Sequence, residues 1–365
     1  LVRLIDHLLE LVETEPEFVF HLDAQTIVLE DYLEIKPKNR RRLKRAIKRG
    51  NILIGPWYVQ NDLFLTGGEA TVRNLLIGRK MVEEFGGSDR MVIYTPDHFG
   101  LVSQLPQLGR GFGLDSVIFG RGRICTPESG AKAEFIWQGP DGSRLLAIQM
   151  ANFYNNAQRF SADPERAAGF FELARKKLEP VTSTSQYLLM NGVDHLEAQE
   201  NLLEILPALQ CRLPAKDRII QSTLFDFCRA VRRELVSPAV EPGEKRVGND
   251  RWILQGTLSS RVYLKIANVR TENFLARRLE VLNSMLLMLP FGRDAYDREV
   301  LAYLWKTLIQ NHPHDSICGC SCDAVHRHME DRFARIAEAG AVLLEEKMRL
   351  LGSHRNPGGS RPDDY

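Results

Sequence analysis

Two hydrophobic periods alternate along the first 235 residues. Leu1 to Leu11 carries apolar positions at helical spacing, and Phe18-Val19-Phe20-His21-Leu22 is an apolar run of strand length. Pro37 to Arg49 predicts a helix, with Pro at its first turn and Gly50 just past its end. Asn51 to Ile54 predicts a strand, Glu69 to Phe85 a helix stopped at Gly86-Gly87, Arg90 to Tyr94 a strand, Ser103 to Gly111 a helix and Asp115 to Phe119 a strand. The rhythm breaks at Phe135 to Ile148, where two strand patterns flank Gly139-Pro140-Asp141-Gly142, the signature of a β-hairpin turn. It resumes with a helix at Pro164 to Leu178, a strand at Tyr187 to Met190 and a helix at Glu197 to Leu206 stopped by Pro207. A strand at Arg218 to Ile220 and a helix at Thr223 to Leu235 follow.

Strands alternating with helices of this length imply parallel pairing in a barrel-like or doubly wound sheet. Val236 to Gly248 is rich in Pro, Glu and Gly and predicts a linker. Beyond it the period is helical, over Val262 to Leu289, Asp297 to Gln310 and Asp323 to Leu351. Val325, Met329, Phe333, Ile336 and Leu343/Leu344 share one face of the last. The expected organisation is α/β over residues 1–240, an all-α three-helix bundle over 249–351 and a disordered polar tail over 352–365.

Lys and Arg (48) nearly balance Asp and Glu (47), a poor match to a polyanion, so nucleic acid is not expected as a partner. The basic run from Lys36 to Lys48 is expected to be an exposed helix face. No apolar run approaches the roughly 20 residues that span a bilayer, so no membrane partner is expected. The six cysteines lack a disulfide-scaffold pattern, which suits a reducing, cytoplasmic setting. Cys318-Gly319-Cys320-Ser321-Cys322 is not a common zinc spacing, and buried thiols are the expectation there. A homo-oligomer is neither indicated nor excluded.

In parallel α/β barrels, reactive groups sit where strands end and loops begin. Asp97 follows the strand ending at Tyr94, and Asp194 follows the one ending at Met190. Asp23 and Trp57 hold equivalent places after two further strands. Paired carboxylates can cleave a glycosidic bond, one attacking the anomeric carbon and the other protonating the leaving oxygen. Arg121, just after the next strand, could hold Asp97 ionised. Near the C-terminus, His312-Pro313-His314-Asp315 packs two imidazoles and a carboxylate before a helix. Capping and packing are the plain alternatives for all of these. A metal-dependent deacetylase on a similar barrel usually wants paired histidines on one helical turn, and no His-x-x-x-His occurs.

Seven runs together resemble the glycoside hydrolase family 38 α-mannosidases. They are His21-Leu22-Asp23-Ala24-Gln25-Thr26, Gly55-Pro56-Trp57-Tyr58-Val59, Pro96-Asp97-His98-Phe99-Gly100, Trp137 to Ser143, Met190 to His195, Ser260 to Lys265 and His312 to Ser316. They fall in order and cover the chain to about residue 350. The resemblance implies a (β/α)7 barrel followed by a three-helix bundle. It implies retaining hydrolysis of α-mannosides through a covalent glycosyl-Asp intermediate, with Zn2+ in the sugar site. Carried onto this chain, Asp97 is nucleophile and metal ligand, His314 a second metal ligand, Arg121 the contact to the nucleophile and Asp194 the acid/base. Trp57, Tyr263, Arg261 and Asn155-Asn156 are candidates for sugar contact, with packing an equal explanation for each. The partner is a mannoside or oligosaccharide.

The chain also departs from the family. The other two zinc ligands belong to a His-x-Asp run at the end of the first barrel strand, which would lie before Leu1. His21-Leu22-Asp23 imitates that run but matches the second strand. The family's C-terminal β domains have no counterpart. The expectation is therefore weak metal affinity and impaired activity for this chain alone. The alternative to a working hydrolase is a catalytically impaired fragment or a carbohydrate-binding remnant.

Overall fold

The computed structural model describes residues 1–194, 196–247, 253–289 and 296–355. These residues form an α/β protein whose chain divides into two compact units. One comprises Leu1–Gln60 with Leu75–Leu254, the other Asn61–Asn74 with Gln255–Tyr365.

In the first unit, β1 (Phe20–His21) pairs in parallel with β2 (Ile52–Leu53). A second sheet contains β3 (Ile93–Thr95), β4 (Ser116–Phe119), β5 (Glu134–Gln138), β6 (Arg144–Gln149) and β7 (Val240–Pro242), in the order β3-β4-β6-β5-β7. β5 and β6 are antiparallel, the expected hairpin, and Gly142 takes the left-handed conformation its turn requires (φ 84°). β3, β4 and β6 pair in parallel. Strands buried on both faces need continuous apolar runs, and Val117, Ile118, Phe119, Leu145, Leu146, Ala147 and Ile148 supply them. The helix Arg40–Arg49 turns Leu43, Ala46 and Ile47 inward, keeps most of its basic residues in water and ends on left-handed Gly50.

The structure corrects several expectations in this unit. Residues 187–190 and 218–220 form no strand. Side-chain amides take the place of a ladder. Asn156 donates to the Leu188 carbonyl at 2.9 Å and accepts from the Met190 N–H at 2.7 Å. Gln221 does the same for both backbone groups of Val19. The helix expected at 197–206 runs instead over Leu202–Gln210, with Pro207 inside it. An unexpected helix occupies Ile27–Ile35. The expected linker contains β7, and Lys245 beyond it is buried, its ammonium against Phe135, Trp137 and the Glu241 carboxylate.

The second unit is helical. Val262–Phe274 continues through a π-helical turn, Leu275–Leu279, into Glu280–Leu286; Arg298–Ile309, His314–Cys318 and Asp323–Arg355 follow. The last helix runs past Leu351 into the expected tail, whose remainder lies outside the described residues. Leu264, Leu275, Leu279, Leu304, Trp305, Leu308, Met329 and Ile336 form its core. The segment 61–74 is built into this unit. Arg73 reaches Glu280 at 2.8 Å and lies 4.5 Å over Trp305, whose indole N–H also bonds Glu280.

His312 is fully buried in this unit, with Nε2 2.7 Å from Asn268 Oδ1 and Nδ1 without a partner. Burial pushes its pKa down to about 3. The unfolded chain therefore takes up this proton first as pH falls. The His312 contribution to stability is complete above about pH 6.5 and declines toward pH 3, by up to about 1.4 kcal/mol per pH unit. Thermal melts between pH 7 and 4 should show His312→Gln flattening that decline. An unchanged slope would mean the imidazole is not the group that titrates.

Candidate active site

The site begins with strand register. Thr95 pairs with Phe119 across β3 and β4, so residues two further along each chain emerge side by side at the same sheet edge. Those residues are Asp97 and Arg121. Arg121 donates Nε–H to Asp97 Oδ1 at 2.7 Å, and a second guanidinium N–H reaches the same oxygen. Arg121 is 9% and Asp97 20% exposed, so the pair is shielded but the carboxylate reaches solvent. The guanidinium lies 5.5 Å from the Phe99 ring centre and 5.1 Å from that of Phe153, which fix its plane. Charge pairing and charge-assisted hydrogen bonds both favour the anionic carboxylate.

The loop leaving β6 supplies the contact to the second carboxylate, Asp194. Phe153 adopts φ 65°, uncommon for a bulky residue, and its ring lies 4.3 Å from that of Tyr154. Tyr154 donates its hydroxyl to Asp194 Oδ2 at 3.1 Å. Burial, then the negative charges of Asp97 and Asp194, raise the Tyr154 pKa well above the ordinary phenol value, so the hydroxyl keeps its proton. Burial also raises Tyr94, helped by Asp23, Tyr154, Asp194 and Asp97. Asp97 and Asp194 thus bear electrostatically on both tyrosines, and Asp23 on Tyr94. Asp194 is exposed, and its neighbour His195 lies outside the described residues.

Trp57 is fully buried, its indole N–H bonded to the Tyr94 carbonyl at 3.2 Å. It supports the end of β3 from below. Asn156 is committed to the 188–190 backbone, as described above. Asp23 and Ala24 both take left-handed φ, and Gln60 pins the Asp23 carbonyl at 2.6 Å. In the sequence only an aromatic pair in the loop after β6 marks Phe153 and Tyr154.

Tyr263 and His314 belong to the other unit. Tyr263 is 47% exposed near the start of its helix, and Arg261 beside it bonds Asp323 at 2.7 Å. His314 opens the helix His314–Cys318, with Nε2 3.9 Å from Asp315 Oδ2. No three His, Cys, Asp or Glu side chains among the described residues are grouped to hold a metal ion. The residues present therefore do not fit a complete zinc site by themselves. All six cysteines are free thiols; Cys318 is buried with Sγ 3.1 Å from Asp62 Oδ2, but Cys320 and Cys322, also expected to be buried, are exposed.

Residues 1–249 match the model described as the N-terminal domain of glycosyl hydrolases family 38, and residues 253–351 match the α-mannosidase middle domain. The chain belongs to glycosyl hydrolase family 38. A family 38 relative from Halalkalibacterium halodurans, named "Putative mannosylglycerate hydrolase", is 40% identical over 98% of this chain. Human alpha-mannosidase 2C1 is 24% identical over 94% of it. The crystal structure of an alpha-mannosidase from Enterococcus faecalis V583 superimposes with a TM-score of 0.90 over 96% of this chain, at 36% identity. The chain spans 40% of the length of the first relative, 32% of the second and 40% of the solved structure. Among the described residues no helix is long and apolar enough to cross a membrane.

Proposed function

We propose that this family 38 chain carries the bond-cleaving carboxylates of a retaining α-mannoside hydrolase. The observation that carries the reading is Asp97, held by two N–H groups of Arg121 beside a mouth that Asp194 shares through Tyr154. In the first step an Asp97 oxygen forms a bond to the anomeric carbon. The bond from that carbon to the leaving oxygen breaks, and the Asp194 carboxyl proton passes to that oxygen. In the second step the Asp194 carboxylate takes a proton from water. The water oxygen bonds the anomeric carbon and the ester to Asp97 breaks, restoring both groups. Arg121 orients the attacking oxygen. It also gains back an ionic partner when the carboxylate is released. Family 38 members generally use zinc.

The substrate class is an α-mannoside, either a mannosyl conjugate of a small acid or an oligosaccharide. The name of one relative suggests the first, and those of others an α-mannoside without further detail. A 5-fluoro-α-mannosyl fluoride tests the reading, because its ring fluorine slows both steps while its fluoride leaving group speeds ester formation, so the ester accumulates. Peptide mass spectrometry of the intact protein should find the sugar on Asp97, with turnover of an ordinary substrate giving the α-anomer first. A label on another residue, or a β-anomer, would overturn it.

A further inference from the structure

We propose that Tyr154 is a positioning residue, whose hydroxyl, presented by the loop 151–157, fixes the Asp194 carboxyl for proton delivery. This rests on the acid/base role proposed for Asp194.

Asp194 is itself exposed, on a half-buried stretch that forms neither helix nor strand. A carboxylate there would otherwise sample several rotamers. General acid catalysis needs the proton held within hydrogen-bond reach of the leaving oxygen, so such sampling costs rate. The loop 151–157 removes that freedom at two levels. Its backbone and Asn156 hold the chain: Ala157 N–H bonds the Met190 carbonyl at 3.1 Å, Asn156 brackets Leu188 and Met190, and Asn191 donates to the Ala157 carbonyl at 2.9 Å. Tyr154 then holds the side chain, at 3.1 Å. The phenol is itself fixed, its ring stacked on Phe153, which faces the Arg121 guanidinium. The last link of this series, Phe153 against the guanidinium, ends on Arg121 of the nucleophile pair. The loop thereby ties the placement of Asp194 to that of Asp97. The charged and titratable groups facing Tyr154 are Asp97, Asp194, Arg121 and Tyr94. Burial first, and then the two carboxylates against the one guanidinium, keep the phenol protonated, so it serves as a lasting donor.

The test separates positioning from packing by leaving group. An alkyl α-mannoside needs its leaving oxygen protonated, whereas a dinitrophenyl α-mannoside does not. In the intact protein, Tyr154→Phe keeps the ring and its stacking. It should lower kcat/KM for the alkyl substrate by about tenfold and for the dinitrophenyl substrate by less than about threefold. In an Asp194→Asn background, Tyr154→Phe should cause no further loss on the alkyl substrate. Equal losses on the two substrates, or losses that add in the double variant, would overturn the proposal. If Asp194→Asn alone slows both substrates equally, the acid/base assignment falls and takes this proposal with it. If Asp194→Asn discriminates and Tyr154→Phe does not, the positioning role alone is wrong.

Discussion

Asp97→Asn is expected to lower kcat/KM for an α-mannoside by roughly 10⁴-fold, a loss typical of removing a covalent nucleophile. The amide keeps an oxygen facing Arg121, so the hydrogen bonds from the guanidinium survive while the negative charge is lost. That separation makes the variant informative. The fold should remain, because an acceptor still satisfies Arg121, whose side chain is otherwise held between Phe99 and Phe153. The stability cost should be about 1–2 kcal/mol, less than for a fully buried pair, because the carboxylate is 20% exposed. Activity on a dinitrophenyl mannoside should fall as far as on an alkyl one, since attack, rather than protonation, is what the variant removes. Circular dichroism and melting would confirm a folded protein. A folded Asp97→Asn variant with activity within tenfold of the parent would show that another group attacks the sugar.

The placement of Asp97 beside Arg121 was readable from the chain for a physical reason. Parallel neighbours align equivalent positions, so two residues that each follow a strand by the same number of steps must meet at one edge. The helices were readable where their apolar faces are long, as in Asp323–Arg355, or where a stop is enforced by backbone geometry, as at Gly50. The errors occur where pairing is not carried by a periodic run. At 187–190 the partner is the amide of Asn156, a single side chain that leaves no pattern. At 240–242 a Pro- and Glu-containing segment becomes a strand because β5 offers it an edge, a fact of tertiary structure that composition obscures. The contact of Tyr154 could not be read for the same reason, since it reaches from an irregular loop to a residue 40 positions away. Trp57 was visible as an aromatic after a strand. Its burial under Tyr94 could not be seen without the third dimension.

Gly120→Ala is expected to damage both stability and catalysis without altering any group that touches substrate. Outside strained backbone, replacing Gly by Ala usually stabilises by about 0.4–1 kcal/mol, because the unfolded chain loses freedom. At Gly120 a Cβ would stand 2.0 Å from the Pro96 carbonyl oxygen and 3.2 Å from its carbon, with the Phe153 ring 3.5 Å away. The nearest obstacle is backbone and cannot rotate aside. Relief requires the ends of β3 and β4 to separate by roughly an ångström, and the residues that move first are Asp97, directly after Pro96, and Arg121, directly after Gly120. The expected cost is about 2–3 kcal/mol of stability. The expected loss in kcat/KM is about a hundredfold, because a misplacement of that size breaks the attack geometry. Gly169 is the control. It lies inside the helix Pro164–Leu178 with nothing within 4 Å of a built Cβ, so Gly169→Ala should raise stability by about 1 kcal/mol and leave activity unchanged. Melting temperature and kcat/KM measured on both variants decide the matter. If Gly120→Ala behaves like Gly169→Ala, the close approach of the two strand ends does not govern the site. If stability falls while activity holds, the Asp97–Arg121 pair moves as a unit and its internal geometry is what catalysis depends on.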